Sequence, residues 1–127
     1  MSKINRVYYN KLIRDNVPIK IESKKEEFEV RKITDDQEFQ QELFKKVKEE
    51  ATALSMCRSK EKFLDEYSDL AIVLDTLIDK LGISEEELMK ARQENLLKKG
   101  AYHEAFFLHW SEDTDYRSDE SVQGVPS

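Results

Sequence analysis

Two neighbouring predicted helices each carry acidic side chains on their apolar face. At about 3.6 residues per turn, Glu66 falls inside the apolar stripe of one helix and Asp69 at its edge, while Glu50 lies on the apolar face of the preceding helix. A carboxylate in a helix core is costly unless something compensates its charge. Three oxygen ligands without a nearby His or Cys favour Mg²⁺ or Mn²⁺ over zinc. Such a site can hold a pyrophosphate group and activate an attacking water.

The three acids have an alternative interpretation, as residues at the rim of the core that pair with Lys or Arg. Charged residues make up 38% of the chain, so an acid pair three residues apart carries little information by itself. An acid on the apolar face of each of two adjacent helices is a rarer pattern. At the level of these residues alone, both interpretations stay open.

The two helices that position the acids have clear apolar periodicity. The first follows an N-cap at Thr34 or Asp35 and ends near Met56. The second begins at Ser59 or Lys60, extends to Leu81 and is ended by Gly82. A connection as short as residues 57–59 usually joins antiparallel neighbours, which brings the acids of the two helices to similar heights. The stripe of the second helix consists of Phe63, Tyr67, Leu70, Leu74, Leu77 and Leu81.

Local signals delimit the elements on either side. Ser84 and Glu87 form a capping box that starts a third helix, which ends near Gly100. Pro18 biases Val17 away from helical geometry, so the N-terminal residues are expected to form a packed arm outside any long helix.

The remaining segments lack long periodic patterns. Residues 10–15 are predicted as a short helix or turn, and residues 22–27 as a charged connector. Residues 28–33 and 105–110 are β-compatible, and because a single strand leaves its backbone unpaired, they are predicted to pair as a short antiparallel ribbon. Residues 111–127 are acidic, rich in serine and nearly free of core residues, which predicts a disordered, flexible tail.

Composition limits the class of protein. The 127 residues suffice for one domain with a sizeable core, assigned to residues 1–110, and only 3 Gly and 2 Pro argue against an all-β fold with many turns. A net charge of -6 disfavours binding to nucleic acid or to an anionic membrane. Cys57 is the only cysteine, and no apolar run has the length of a signal peptide or of a membrane span. We therefore expect an all-α protein of the cytoplasm.

Several short motifs resemble one protein family in the same order along the chain. Y-N-K-L-I-R-D-N-V-P at residues 9–18 resembles the YNKLVRDKIP signature of small phosphoribosyl-ATP-pyrophosphohydrolase-like proteins, members of the all-α nucleoside triphosphate pyrophosphatase (MazG-like) superfamily. The acidic helices, the turn with its capping box and the final Gly-aromatic segment follow as K-E-E-A at 48–51, D-E-Y-S-D-L at 65–70, L-G-I-S-E-E-E-L at 81–88 and K-G-A-Y-H-E-A-F-F-L at 99–108. The resemblance covers about residues 8–108, and its N-terminal decapeptide is the specific part.

The resemblance implies a MazG-like helical domain that cleaves a nucleoside triphosphate between its α and β phosphates with Mg²⁺ or Mn²⁺. The products are a monophosphate and pyrophosphate, and the substrate could be a non-standard nucleotide cleared from the cell. The resemblance also implies self-association to a dimer or tetramer.

In that family, four carboxylates hold the metal, as E-x-x-E on one helix and E-x-x-D on the next. Glu50, Glu66 and Asp69 match three of them and are the implied metal ligands and catalytic residues. The fourth position is Ala53, and the adjacent Glu49 is a further candidate ligand. This departure supports an alternative, a protein that binds a nucleotide or a nucleotide-derived signal on the same fold without hydrolysis. A purely structural helical oligomer is a third hypothesis.

The resemblance also suggests residues that bind the substrate. They are Asn10, Lys11, Arg14, Asp15, Lys98 and Lys99. Lys11 and Arg14 are the best candidates for phosphate contacts, with Asn10 and Asp15 as polar groups that orient them. The alternative is an exposed basic turn, or ion pairs that tie the arm to the helices. The two later lysines are weaker candidates, because bases at a helix C-terminus already suit its negative end.

Overall fold

Four α-helices form the regular structure of residues 5–112, the part of the chain that the computed structural model describes. They are α1 (Val17–Ser23), α2 (Asp36–Ser55), α3 (Lys60–Lys80) and α4 (Glu85–Lys99), and residues 5–112 contain no strand. The predicted all-α class is therefore confirmed for this range. None of these helices combines the length and the apolar character that a membrane crossing requires. The chain divides after Leu88 into two compact units.

The helix ends follow from side chains that satisfy free backbone groups. The Asp35 carboxylate accepts a hydrogen bond from the backbone N–H of Glu38 at 2.9 Å and starts α2. Ser59 starts α3 in the same way, since its hydroxyl accepts from the N–H of Lys62 at 3.1 Å. At α4 the serine half of the predicted capping box is present, since the Ser84 hydroxyl accepts from the backbone N–H of Glu87 at 3.1 Å.

Gly82 ends α3 because its backbone adopts a conformation that other residues avoid. Its φ is +68°, in the left-handed region where glycine has no steric cost. The N–H of Gly82 donates to the carbonyl of Asp79 at 3.1 Å, and that of Ile83 donates to the carbonyl of Ile78 at 3.0 Å. This pair of bonds is the Schellman pattern, which satisfies carbonyls at the end of the helix.

The core of the first unit lies between α2 and α3. It is centred on three buried side chains, Leu43 from α2 and Val73 and Leu77 from α3. Phe39, Val47, Leu70 and Leu12 pack around them. The Lys80 ammonium lies 2.8 Å from the Asp36 carboxylate, so the last turn of α3 lies beside the first turn of α2 and the two helices run in opposite directions. The later part of α2, which carries Glu50, therefore lies beside the earlier part of α3, which carries Glu66 and Asp69.

The N-terminal segment departs from its prediction. Of the two alternatives for residues 10–15, a short helix or a turn, the helix does not form, and a turn is present at Asp15. A helix that was not predicted, α1, begins at Val17, directly before Pro18, and extends into the predicted charged connector. A proline is well tolerated in the first turn of a helix, because the N–H that it lacks would have no partner within the helix there. This first-turn preference overcame the tendency of a proline to keep the residue before it out of a helix.

The predicted ribbon is wrong for the described residues, since neither residues 28–33 nor residues 105–110 form a strand. Ala105 has a φ of +54°, a left-handed conformation that a strand does not contain. Phe28 and Val30 are exposed, as are the aromatic side chains that follow Ala105, so no buried face favours an extended pairing. Of the predicted disordered tail, only residues 111–112 fall within the described range, and they are exposed; the rest lies outside it.

Candidate functional site

The fold brings together the three carboxylates that the periodicity placed on inner helix faces. Glu50 comes from α2, and Glu66 and Asp69 come from α3, one helical turn apart. One oxygen of each lies within 4.8 Å of one oxygen of each of the others, and all three residues are half-buried. We call this group the acidic cluster. It is the one such group of at least three His, Cys, Asp or Glu side chains among residues 5–112.

Within the acidic cluster, the Glu50 carboxyl ionises less readily than an ordinary glutamate. Burial raises the pKa of the Glu50 carboxyl, and the negative charges of Asp69 and Glu66 raise it further. The Lys46 ammonium, 3.8 Å from Oε1 of Glu50, opposes this only in part. The ionised form of Glu50 is therefore disfavoured, first by burial and then by the neighbouring negative charges.

Glu49, the further candidate ligand, lies in a different environment. Its Oε1 accepts a hydrogen bond from the Lys11 ammonium at 2.7 Å, and its Oε2 accepts one from the Lys46 ammonium at 2.9 Å. These two bonds lower the pKa of the Glu49 carboxyl, and Glu49 in turn raises the pKa of Lys11. Both oxygens of Glu49 are thus engaged by lysines, whereas the acidic cluster is formed without it.

Two of the basic candidates lie beside these acids. The Arg14 guanidinium donates to Oδ1 of Asp69 at 3.4 Å, and Lys11 contacts Glu49, so residues 11–14 contact both α3 and α2. Between them, Leu12 packs against the core and fixes the segment in place. Asn10 has a φ of +46°, a left-handed conformation that asparagine adopts more readily than most residues. Its side chain is exposed, directly before this segment.

The other predicted substrate-binding residues lie outside the acidic cluster. Asp15 is exposed in the turn before α1, where it lines a shallow surface pocket with Arg14 and Lys20. Lys98 and Lys99 form the last turn of α4 in the second unit, and both are exposed. Their position at a helix C-terminus agrees with complementation of the helix dipole.

Lys46 is the residue of this site that sequence reasoning missed. It is only 15% exposed on its side chain, and its ammonium lies between Glu49 and Glu50. Its spacing from them, three and four residues along one helix, is the usual signal for an ion pair on a helix surface. Ala53 is half-buried on α2 and supplies no ligand, as its side chain is a methyl group.

The arrangement combines hard oxygen ligands with nearby cations. Three carboxylates from two helices can hold a divalent cation such as Mg²⁺ or Mn²⁺, and Arg14 is placed where it can reach an anion bound to that cation. Together these groups suit a ligand that carries both phosphate oxygens and a metal.

No protein-family model, no curated protein and no solved structure matches the chain.

Proposed function

We propose that the chain is a nucleoside triphosphate pyrophosphohydrolase that depends on Mg²⁺ or Mn²⁺, with Glu50, Glu66 and Asp69 as the ligands of the cation. The observation that carries this proposal is the approach of three carboxylate oxygens, from two different helices, to within 4.8 Å of one another. Like charges at this distance repel one another, and the negative charges of Asp69 and Glu66 add to burial in raising the pKa of Glu50.

The donor set fits the proposed metal. Mg²⁺ and Mn²⁺ prefer oxygen ligands, and Mg²⁺ is commonly held by one or two carboxylates together with water and substrate phosphates. All three side chains are only half-buried, which leaves room for water and for a phosphate group. Within residues 5–112, the cluster contains no His or Cys that would favour zinc.

The proposed reaction is nucleoside triphosphate plus water to nucleoside monophosphate plus pyrophosphate. When bound, such a cation would neutralise phosphate charge and would make a water bound to it more acidic. The chain would supply the rest: Glu50, Glu66 and Asp69 would hold the cation and so position a water bound to it. Arg14 and Lys11 bind and orient the triphosphate, since a guanidinium pairs well with phosphate oxygens.

The proposal includes a MazG-like helical bundle that acts in the cytoplasm as a dimer or tetramer. Few apolar residues of the described range are buried, and α3 exposes Phe63, Leu64 and Tyr67 on its first two turns. An apolar face of this kind supports association with a second copy of the chain, which would cover it.

The test is release of pyrophosphate from a panel of nucleoside triphosphates with Mg²⁺ or Mn²⁺. We expect turnover by the wild-type protein and its loss in Glu66→Ala. Glu61→Gln, which removes an exposed acid from the first turn of the same helix, is the matched control and should keep wild-type turnover. A folded protein that releases no pyrophosphate from any nucleotide would contradict the proposal.

A second candidate function is favoured by Ala53. The absence of a fourth carboxylate at this position supports a protein that binds a nucleotide, or a nucleotide-derived signal, without cleaving it. Calorimetry with the same nucleotides and Mg²⁺ would then show saturable binding, with the intact nucleotide recovered afterwards. If neither binding nor turnover occurs, and Mn²⁺ does not raise the melting temperature, the structural oligomer is the better account.

A further inference from the structure

The ion pair between Arg14 and Asp69 joins the N-terminal segment to one of the acids of the cluster. We propose that the Arg14 guanidinium is the resident counter-ion of Asp69, which a divalent cation displaces, and that the freed guanidinium then binds a phosphate group of the ligand. This inference rests on the proposed function, because it takes the acidic cluster as the metal site. It adds an order to the events: the cation binds first, and its binding makes Arg14 available.

The geometry of this pair suits exchange. A single Arg14 nitrogen contacts a single Asp69 oxygen at 3.4 Å, whereas the strong arginine–carboxylate pairs are short and have two hydrogen bonds. The side chains are 56% and 40% exposed, so water is available to both partners when they separate. An exposed pair of this kind contributes little to stability, and a cation that binds Asp69 can replace it at small cost.

Lys11 differs from Arg14 in this respect. It donates to Glu49 at 2.7 Å, and Glu49 is outside the acidic cluster, so a cation at the cluster does not compete for the same carboxylate. Leu12, between the two bases, packs against the core of the first unit. Because Leu12 holds the segment against the core, displacement of Arg14 requires a new side-chain rotamer and no movement of the whole arm.

This exchange couples the two ligands. Without a cation, the Arg14 guanidinium pairs with Asp69, and a phosphate group must compete with Asp69 for the guanidinium. With a cation on Asp69, the guanidinium remains beside the cluster and is free to donate to phosphate oxygens. We therefore expect the cation and a polyphosphate to strengthen each other's binding beyond their direct contact.

The first test is the affinity for Mn²⁺ alone, measured by calorimetry and by the electron paramagnetic resonance of free Mn²⁺. Removing the competitor in Arg14→Gln should tighten Mn²⁺ binding about twofold to fivefold, the range that a surface ion pair provides. Lys11→Gln should change it less, which separates displacement from a general loss of positive charge. Arg31→Gln, which removes an exposed arginine that donates two hydrogen bonds to Glu38 outside the acidic cluster, should leave it unchanged.

The second test uses inorganic pyrophosphate with Mg²⁺ as the ligand. Arg14→Gln should weaken this binding about tenfold, because a charge-assisted contact to phosphate is lost. Arg14→Lys, which keeps the charge, should restore Mn²⁺ affinity to nearly the wild-type value. In the wild-type protein, the Nε–Hε resonance of Arg14 should shift as Mg²⁺ is added, whereas that of Arg31 should not.

The exchange predicts opposite effects of Arg14→Gln on the two affinities: tighter binding of Mn²⁺ and weaker binding of pyrophosphate with Mg²⁺. If Arg14→Gln binds Mn²⁺ no more tightly than the folded wild type does, the displacement is refuted while the metal site stands. If the wild type itself binds no Mn²⁺, the proposed function fails, and this inference fails with it.

Discussion

Replacing Glu50 with Gln should stabilise the metal-free protein at neutral pH and also abolish its stabilisation by Mn²⁺. Burial raises the pKa of the Glu50 carboxyl, and the charges of Asp69 and Glu66 add to this. An acid whose pKa is raised by folding destabilises the fold above that pKa, and the cost disappears as the pH falls through it. The gain from Glu50→Gln should therefore be present at neutral pH and fade as the pH falls through the raised pKa of Glu50, where the wild-type side chain takes up a proton.

The size of this gain follows from the distances in the cluster. Carboxylate oxygens within 4.8 Å repel each other by about 1 kcal/mol per pair in a water-like dielectric. Glu50 has two such neighbours, and the Lys46 ammonium at 3.8 Å offsets about one of them. Because these side chains are partly solvated, we expect a net gain of ~0.5–1 kcal/mol, or a rise of ~2–5 °C in melting temperature.

The assay is urea and thermal unfolding at neutral and acidic pH, with and without Mn²⁺. At about ten times its Kd, Mn²⁺ should add about 1.4 kcal/mol to the stability of the wild type. It should add nothing to the variant. Glu49→Gln is the matched control, because Lys11 and Lys46 lower the pKa of Glu49 and its replacement should destabilise the protein at neutral pH.

Two results would refute this reasoning in different ways. A Glu50→Gln variant that is less stable than the wild type at neutral pH without metal would contradict the account of charge repulsion in the cluster. A variant that keeps the full response to Mn²⁺ would remove Glu50 from the set of metal ligands.

Three further changes test the core, a helix end and the missing ligand. Leu77→Ala should lower the free energy of unfolding in urea by ~2–5 kcal/mol, since Leu77 is 4% exposed. Leu97→Ala, at a residue that is 88% exposed, should change it by no more than ~0.5 kcal/mol. Equal losses of stability would contradict the assigned core. Gly82→Ala should cost ~1–2 kcal/mol in a thermal melt, because alanine is strained at a φ of +68°, and an unchanged melt would contradict this C-cap. Ala53→Glu should tighten Mn²⁺ binding in calorimetry and lower the stability of the metal-free protein; an unchanged affinity would show that residue 53 does not face the site.

Signals that act within a few residues allowed much of the first unit to be predicted. The caps at Asp35, Ser59 and Ser84 and the glycine at position 82 depend on side chains and backbone groups that are close in sequence. The ends of α2 and α3 were therefore predicted to within about one residue, which is the precision with which a helix end can be assigned. Apolar periodicity likewise predicted the inner faces of these helices, and with them the three acids.

Elements that depend on distant partners could not be predicted in this way. The alternation at residues 28–33 was compatible with a strand, but a strand needs a second segment to satisfy its backbone, and a short apolar pattern does not identify one. At Pro18, two local rules disagreed, and the structure followed the preference of proline for the first turn of a helix.

The sequence by itself determined which residues of α2 and α3 face inward, because helical periodicity depends only on spacing along the chain. The tertiary structure alone decided which charges meet. Lys11 and Glu49 are 38 residues apart, and Arg14 and Asp69 are 55 apart, so no local pattern pairs them. Glu49 and Glu50 are consecutive, yet folding lowers the pKa of Glu49 and raises that of Glu50. The reason is that a pKa depends on burial and on the charges nearby in space, which sequence order does not specify.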